Sequence, residues 1–244
     1  MGTEVTNPVA AFIEEARKAG AQVHQAPGPE EACVCLIKLA KEHKVKVAVK
    51  SKSQIADNIK LRQRLEKEGI SVVETDLSDG LSQLLGDKVA GKMTIGYVQQ
   101  LISGATGQKL EADPQVLLDA ANTFFKQNCM EADLGISEAM LGIAETGSLV
   151  VAGDEGVTRL TAVLPRIHVT LLESQNIVPV MEDVLTEVRK RNPSLASQAM
   201  PAYITYITGR NTTADIPGAV LARAQGPAEE HIIVIAGAGE EAVA

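Results

Sequence analysis

The sequence predicts an α/β protein: a mixed, mostly parallel sheet flanked by helices. Three observations lead there. Short aliphatic, β-branched runs alternate with amphipathic helical patterns through much of the chain. The hydrophobic fraction is 45% but aromatics are only 2%, so the core must be aliphatic. The 244 residues contain no internal repeat and no linker that demands a break. The expected organisation is one domain over 1–244, with an N-terminal helical region at 1–44 and a flexible tail at 237–244.

Taken in order, Val9 to Lys18 reads as a helix on Phe12, Ile13 and Ala16, ended by Gly20. Ala21–Pro29 gives a short strand and a Pro/Gly loop. Pro29 opens a second helix whose acids Glu30 and Glu31 suit the N-terminal dipole, with Cys33, Leu36, Ile37 and Ala40 inward. Val45–Val49 is a parallel-type strand. Lys50-Ser51-Lys52-Ser53 then leads into a helix expected from Gln54 to Glu68. A strand entering a polar loop and a helix start is a natural anion site, although Ser51 with Gln54 also fits a capping box.

Ile70–Val73 is the next strand, ending in Glu74-Thr75-Asp76. A short helix is expected from Asp76 or Ser78 to Leu85, and a strand at Lys92–Val98. Asp113-Pro114 opens a helix carrying Leu117, Ala120, Ala121 and Phe124 on one face. Met140–Ala144, Ser148–Ala152 and Ile167–Leu172 read as buried strands. Polar corners separate them: Glu145-Thr146-Gly147, then Gly153-Asp154-Glu155-Gly156, then Arg159. Pro179–Arg191 should be a helix, Ala202–Thr208 a short regular run, and Ile232–Ala236 the last strand.

Composition narrows function. A net charge of −8 and a pI of about 5.1 argue against a phosphate-backbone binder, and so against nucleic acid. No apolar segment has transmembrane length, and the first twenty residues lack a signal-peptide pattern; the expectation is a cytoplasmic protein without membrane insertion. Cys33, Cys35 and Cys129 form neither a zinc knuckle nor a ferredoxin run, so no cofactor is expected in this chain. His24, His43, His168 and His231 show no metal-ligand spacing, and no metal site is expected. His168, inside an apolar strand, reads first as a hydrogen-bonded structural histidine. Gly237-Ala238-Gly239-Glu240-Glu241-Ala242 matches a dinucleotide fingerprint, but only two residues follow it.

Several stretches in combination resemble the LUD domain of bacterial lactate utilisation proteins. They are Ala132–Ser137, Ile143–Val150, Asp154-Glu155-Gly156, Arg159-Leu160 and Leu164–Val169, then Val178-Pro179 with Glu182-Asp183. Upstream, Lys50–Ser53 and Val73–Leu77 fit the same pattern. Downstream, Ile207-Thr208-Gly209, Thr213–Ile216 and Gly226–His231 do so too. The resemblance implies a fold of the ribose-5-phosphate isomerase, glucosamine-phosphate deaminase and CoA-transferase type (NagB/RpiA/CoA-transferase-like). It implies a part in oxidising L-lactate to pyruvate, with an iron–sulfur cluster in a partner subunit. Two departures stand out: Met93–Gln99 lacks the histidines and proline of many relatives, and cluster-binding cysteines are missing.

A site for a 2-hydroxy acid needs a cation for the carboxylate and a base at the hydroxyl. Lys50, Lys52 and Arg159 are the candidate cations. Glu145 is the candidate catalytic base and His168 its alternate. Ser51, Ser53, Glu74, Asp76, Thr146, Gly147, Glu155, Gly209 and Asp215 complete the expected substrate-binding set. The expected partners are a small organic acid or phosphorylated small molecule, an iron–sulfur protein and a second copy of the chain. Two other readings stand beside this one: a transferase or isomerase acting on a phosphorylated or CoA-linked substrate, and a non-catalytic sensing or scaffold subunit.

Overall fold

In the computed structural model the described residues are 7–76, 83, 94–153, 159–191, 203–210, 212–216, 219–222 and 226–237, with backbone alone at 212–216 and 219–222. The strands are β1 (Gln22–Ala26), β2 (Val47–Lys50), β3 (Ser71–Glu74), β4 (Leu134–Glu138), β5 (Leu141–Ile143) and β6 (Ser148–Gly153). Then come β7 (Ile167–Glu173), β8 (Ile177–Val178), β9 (Tyr203–Ile207), β10 (Thr212–Ile216), β11 (Ala219–Ala222) and β12 (Glu229–Ile235). The helices are α1 (Pro8–Lys18), α2 (Pro29–Glu42), α3 (Gln54–Asn58) and α4 (Leu61–Lys67). They continue with α5 (Ile95–Thr106), α6 (Pro114–Glu131), α7 (Leu160–Val163) and α8 (Val184–Arg191).

Six strands form one wholly parallel sheet in the order β1-β12-β7-β4-β2-β3. The antiparallel pairing expected of a mixed sheet is segregated. It lies in a second, four-stranded sheet, β8-β5-β6-β9, and in the β10–β11 hairpin. The region 1–44 supplies α1, α2 and, within Ala21–Pro29 where a short strand is expected, β1, an edge strand of the parallel sheet.

Side chains alternate across the pleat, so each parallel strand feeds two cores. On one face Leu36 of α2 and Leu61 and Leu65 of α4 bury against Leu134, Ile136, Ile167 and Leu171. On the other, Phe12 and Ala16 of α1 meet Leu172, Ile232 and Val234, while Cys129 of α6 meets Val49 and Ala132. Each buried Leu, Ile, Val or Phe side chain among these contributes about 1.5–3 kcal/mol by leaving water.

Three sequence expectations change. The helix expected over Gln54–Glu68 breaks, because Lys60 adopts a left-handed conformation (φ 52°) between α3 and α4. Ile59, Leu61 and Leu65, on either side of the break, are all buried. Within the strand expected at Lys92–Val98, the residues from Ile95 instead start α5: Val98 and Ile102, one turn apart, pack against Leu117 and Phe125 of α6. The helix expected from Pro179 opens as a 3₁₀ turn, Met181–Asp183, before α8. Of the helix expected after Asp76 only Gln83 is described, and it is helical; the tail beyond Gly237 lies outside the described residues.

Candidate functional site

Strand order reverses beside β2: the chain moves from β2 outward to β3, then returns to β4 on the other side. Ligands of open parallel sheets sit at such a reversal, outside the carboxyl ends of the strands. Lys50 ends β2 there, and Ser51 donates its backbone N–H to Ile136 O of β4 at 3.0 Å.

Lys50 is 1% exposed. Its Nζ lies 2.9 Å from Glu74 Oε2, 3.0 Å from Asp57 Oδ1 and 3.3 Å from Ser51 O. Burial works against its charge, but the carboxylates of Glu74 and Asp57 outweigh that and hold its pKa above the usual lysine value. Asp57 is the solvent-facing partner, its side chain 55% exposed. Lys52 is exposed.

Ser53 caps α3 by accepting from Ala56 N, and its hydroxyl donates to Glu138 Oε2 at 2.8 Å. The same Glu138 oxygen accepts from Ile55 N at 3.1 Å. Thus a side-chain carboxylate of the protein occupies the loop's donors. Thr75 continues the cluster: its hydroxyl donates to Lys50 O and lies 2.8 Å from Thr161 Oγ1 of α7. Asp76 is buried at the end of β3.

Sequence reasoning missed Glu138, Asp57 and Thr161 here. Glu138 carries a usable signal, an acid at the carboxyl end of a buried strand. Asp57 carries none, because its reach to Lys50 depends on how α3 sits against the end of β2.

His168 is not in this cluster. In register His168 faces Gly135, which faces Val49. It therefore points to the sheet face opposite Lys50. Its Nε2 lies 2.8 Å from Ser137 Oγ, and its Nδ1 lies 2.8 Å from Glu230 Oε2. The Thr170 hydroxyl donates to Glu230 Oε1 at 3.2 Å. All four residues are buried. The order serine, histidine, carboxylate is that of an activated nucleophile. Here it has no solvent access, and it fastens β4, β7 and β12 together.

Glu145 lies in neither cluster. It is exposed on the β5–β6 turn, donates its N–H to Pro179 O, and accepts from Met181 N at 3.4 Å. Thr146 donates to Ser148 Oγ, which lies 2.6 Å from Thr208 Oγ1. Gly147 and Gly209 both have positive φ (63° and 64°) and press on α1: a Cβ at the first would collide with Ala16 N, and at the second with Ala19 O. These corners dock the second sheet on α1. Arg159 is exposed just before α7. Glu155 and the side chain of Asp215 lie outside the described residues. The expected convergence of Glu145, Arg159 and the lysine loop has no hydrogen bond or ion pair linking them among the described residues.

A third constellation joins residues far apart in sequence. His24 Nε2 lies 3.1 Å from His231 Nδ1, with the ring planes 12° apart. Glu229 Oε2 lies 3.6 Å from His43 Nε2 and 3.6 Å from His231 Nε2. Burial, then the neighbouring His24, lowers the His231 pKa to about 4, against the pull of Glu229.

No helix among the described residues is long and apolar enough to cross a membrane. A DUF162 family protein from Deinococcus radiodurans superposes with a TM-score of 0.49 at 12% identity, covering 94% of this chain and 96% of that one. "Lactate utilization protein B" of Geobacillus kaustophilus is 29% identical over 230 residues, which is 91% of this chain and 46% of that protein. The protein of the same name from Bacillus subtilis is 28% identical over 231 residues, 92% and 47% of the two chains. The chain thus spans about half the length of the curated relatives it matches. The LUD domain model matches residues 9–235, nearly the whole sequence, and the chain belongs to the LUD domain family.

Proposed function

We propose that this domain binds a small 2-hydroxy acid at the Lys50–Ser53 loop and serves L-lactate oxidation. The observation that supports the reading is the buried Lys50 ammonium at the strand reversal, one of whose partners, Asp57, is exposed. A ligand carboxylate replaces Asp57 on Lys50, with Lys52 adding a second positive charge at the rim. Asp57, freed but still beside the ligand, is the carboxylate at hand for the hydroxyl proton. Conversion of lactate to pyruvate releases two electrons and two protons. The electrons go to an iron–sulfur partner protein, since Cys33, Cys35 and Cys129 lack the spacing of a cluster-binding run.

The test is ligand-induced thermal stabilisation and calorimetry with L-lactate, pyruvate, sugar phosphates and CoA. L-lactate and pyruvate should raise Tm, Lys52→Ala should reduce the shift, and Asp57→Asn should strengthen binding of pyruvate, which has no hydroxyl proton to give. No response to either acid, with a response to a sugar phosphate or CoA, would overturn this reading in favour of a transferase or isomerase.

A further inference from the structure

We propose that His43, Glu229 and His231 form a binding site for a divalent transition-metal ion of the zinc class, where the C-terminus of α2 meets the start of β12. The donor atoms His43 Nε2, Glu229 Oε2 and His231 Nε2 all lie within 4.8 Å of one another. Glu229 and His231 are two apart on β12, so the pleat turns both to one face. His43 comes from the C-cap of α2 on that same face.

The second observation is a buried nitrogen without a hydrogen bond. His231 is 2% exposed, and its Nε2 has no hydrogen-bond partner. Its ring is held from behind, since Nδ1 faces His24 Nε2 at 3.1 Å. With the shared proton on His231 Nδ1, Nε2 keeps its lone pair for an ion, within 4.8 Å of the donor atoms of Glu229 and His43. Metal-bound histidines are oriented in this way through their second ring nitrogen. Glu229 is oriented likewise: Arg166 Nη1 donates to Oε1 at 3.1 Å and leaves Oε2 for the ion.

Two imidazoles and one carboxylate suit zinc better than calcium or magnesium, which take oxygen ligands. Bonds of about 2.0–2.2 Å in a tetrahedral site set donors roughly 3.3 Å apart. The two 3.6 Å separations approach that value, and the partly exposed His43 can close the rest by a small side-chain adjustment. His43 and Glu229 are 25% and 26% exposed, so the ion enters from solvent and a water completes its shell. The site is separate from the Lys50 loop, because β7 and β4 intervene between β12 and β2. It stands whether or not lactate binds there.

The experiment uses tag-free protein stripped by chelator, titrated with Co²⁺ and Zn²⁺. Co²⁺ should bind one per chain with the visible absorption of a tetrahedral nitrogen–oxygen site, and Zn²⁺ should displace it. His43→Ala and Glu229→Gln, checked for native circular dichroism, should each weaken binding about 100-fold or more, and His24→Phe about 10–100-fold. Should His43→Ala fail to fold, Zn²⁺ protection of His43 from diethylpyrocarbonate in the unaltered protein takes its place. Absence of stoichiometric Co²⁺ binding, affinity unchanged in Glu229→Gln, or unprotected His43 would overturn the proposal.

Discussion

His168 Nδ1 lies 2.8 Å from Glu230 Oε2, across two neighbouring parallel strands in direct register. Both side chains are fully enclosed, and Ser137 and Thr170 take their remaining polar atoms. Removing one member strands the others without water. Glu230→Leu or His168→Leu should therefore cost about 3–5 kcal/mol in urea denaturation. The double variant should cost less than the sum of the two, because the histidine–carboxylate contact is lost only once and only the Ser137 and Thr170 hydroxyls are left to find partners. Simple additivity would show that the contact contributes nothing specific.

Lys50 and Lys52 are two residues apart, yet their substitutions should behave differently. Lys50→Met leaves Glu74 buried beside no ammonium and should lose about 3–5 kcal/mol. Arg62, whose Nε is 3.7 Å from Glu74 Oε1, offsets part of that loss. Lys52→Ala, at an exposed position, should stay within about 0.5 kcal/mol. Equal Tm values for the two variants would contradict the internal pairing of Lys50.

Gly147→Ala and Gly209→Ala should each loosen the junction between the second sheet and α1. Both positions combine positive φ with direct backbone approach to α1. The left-handed conformation alone costs roughly 1–2 kcal/mol, and the collision with Ala16 or Ala19 adds to it. Limited proteolysis should cut between α1 and β1 faster in both variants. A Gly147→Ala protein as resistant as the parent would rule out this packing role.

Cys129 gives a pH signature. Burial pushes its thiol up to about 11 from 9.0, against a weaker opposing hydrogen bond to Thr161. The folded state keeps the thiol neutral where the unfolded chain has already ionised. Its contribution is full below pH 9 and is lost as pH rises from 9 towards 11, on the order of 2–3 kcal/mol in all. Cys129→Ala should therefore lose less stability than the parent between pH 8.5 and about 10.5. Parallel losses in the two proteins would show that the thiol ionises equally in both states.

The sequence by itself determined the class of fold, the order of most strands and helices, and the family. Alternation of apolar side chains is local, so Ile167–Leu172 and Pro29–Glu42 were legible as strand and helix without their partners. Glycine and acid corners such as Glu145-Thr146-Gly147 were legible as turns for the same reason. What only the tertiary structure decided was which polar groups meet. Lys50 and His168 are both strand residues near polar turns, but one residue of register turns them to opposite faces of the sheet. His43 and His231 are separated by most of the chain, and no spacing rule reaches that far. Their proximity is set by where the end of α2 crosses the start of β12, and that crossing is fixed by the burial of Leu36 and Ile233 in one core.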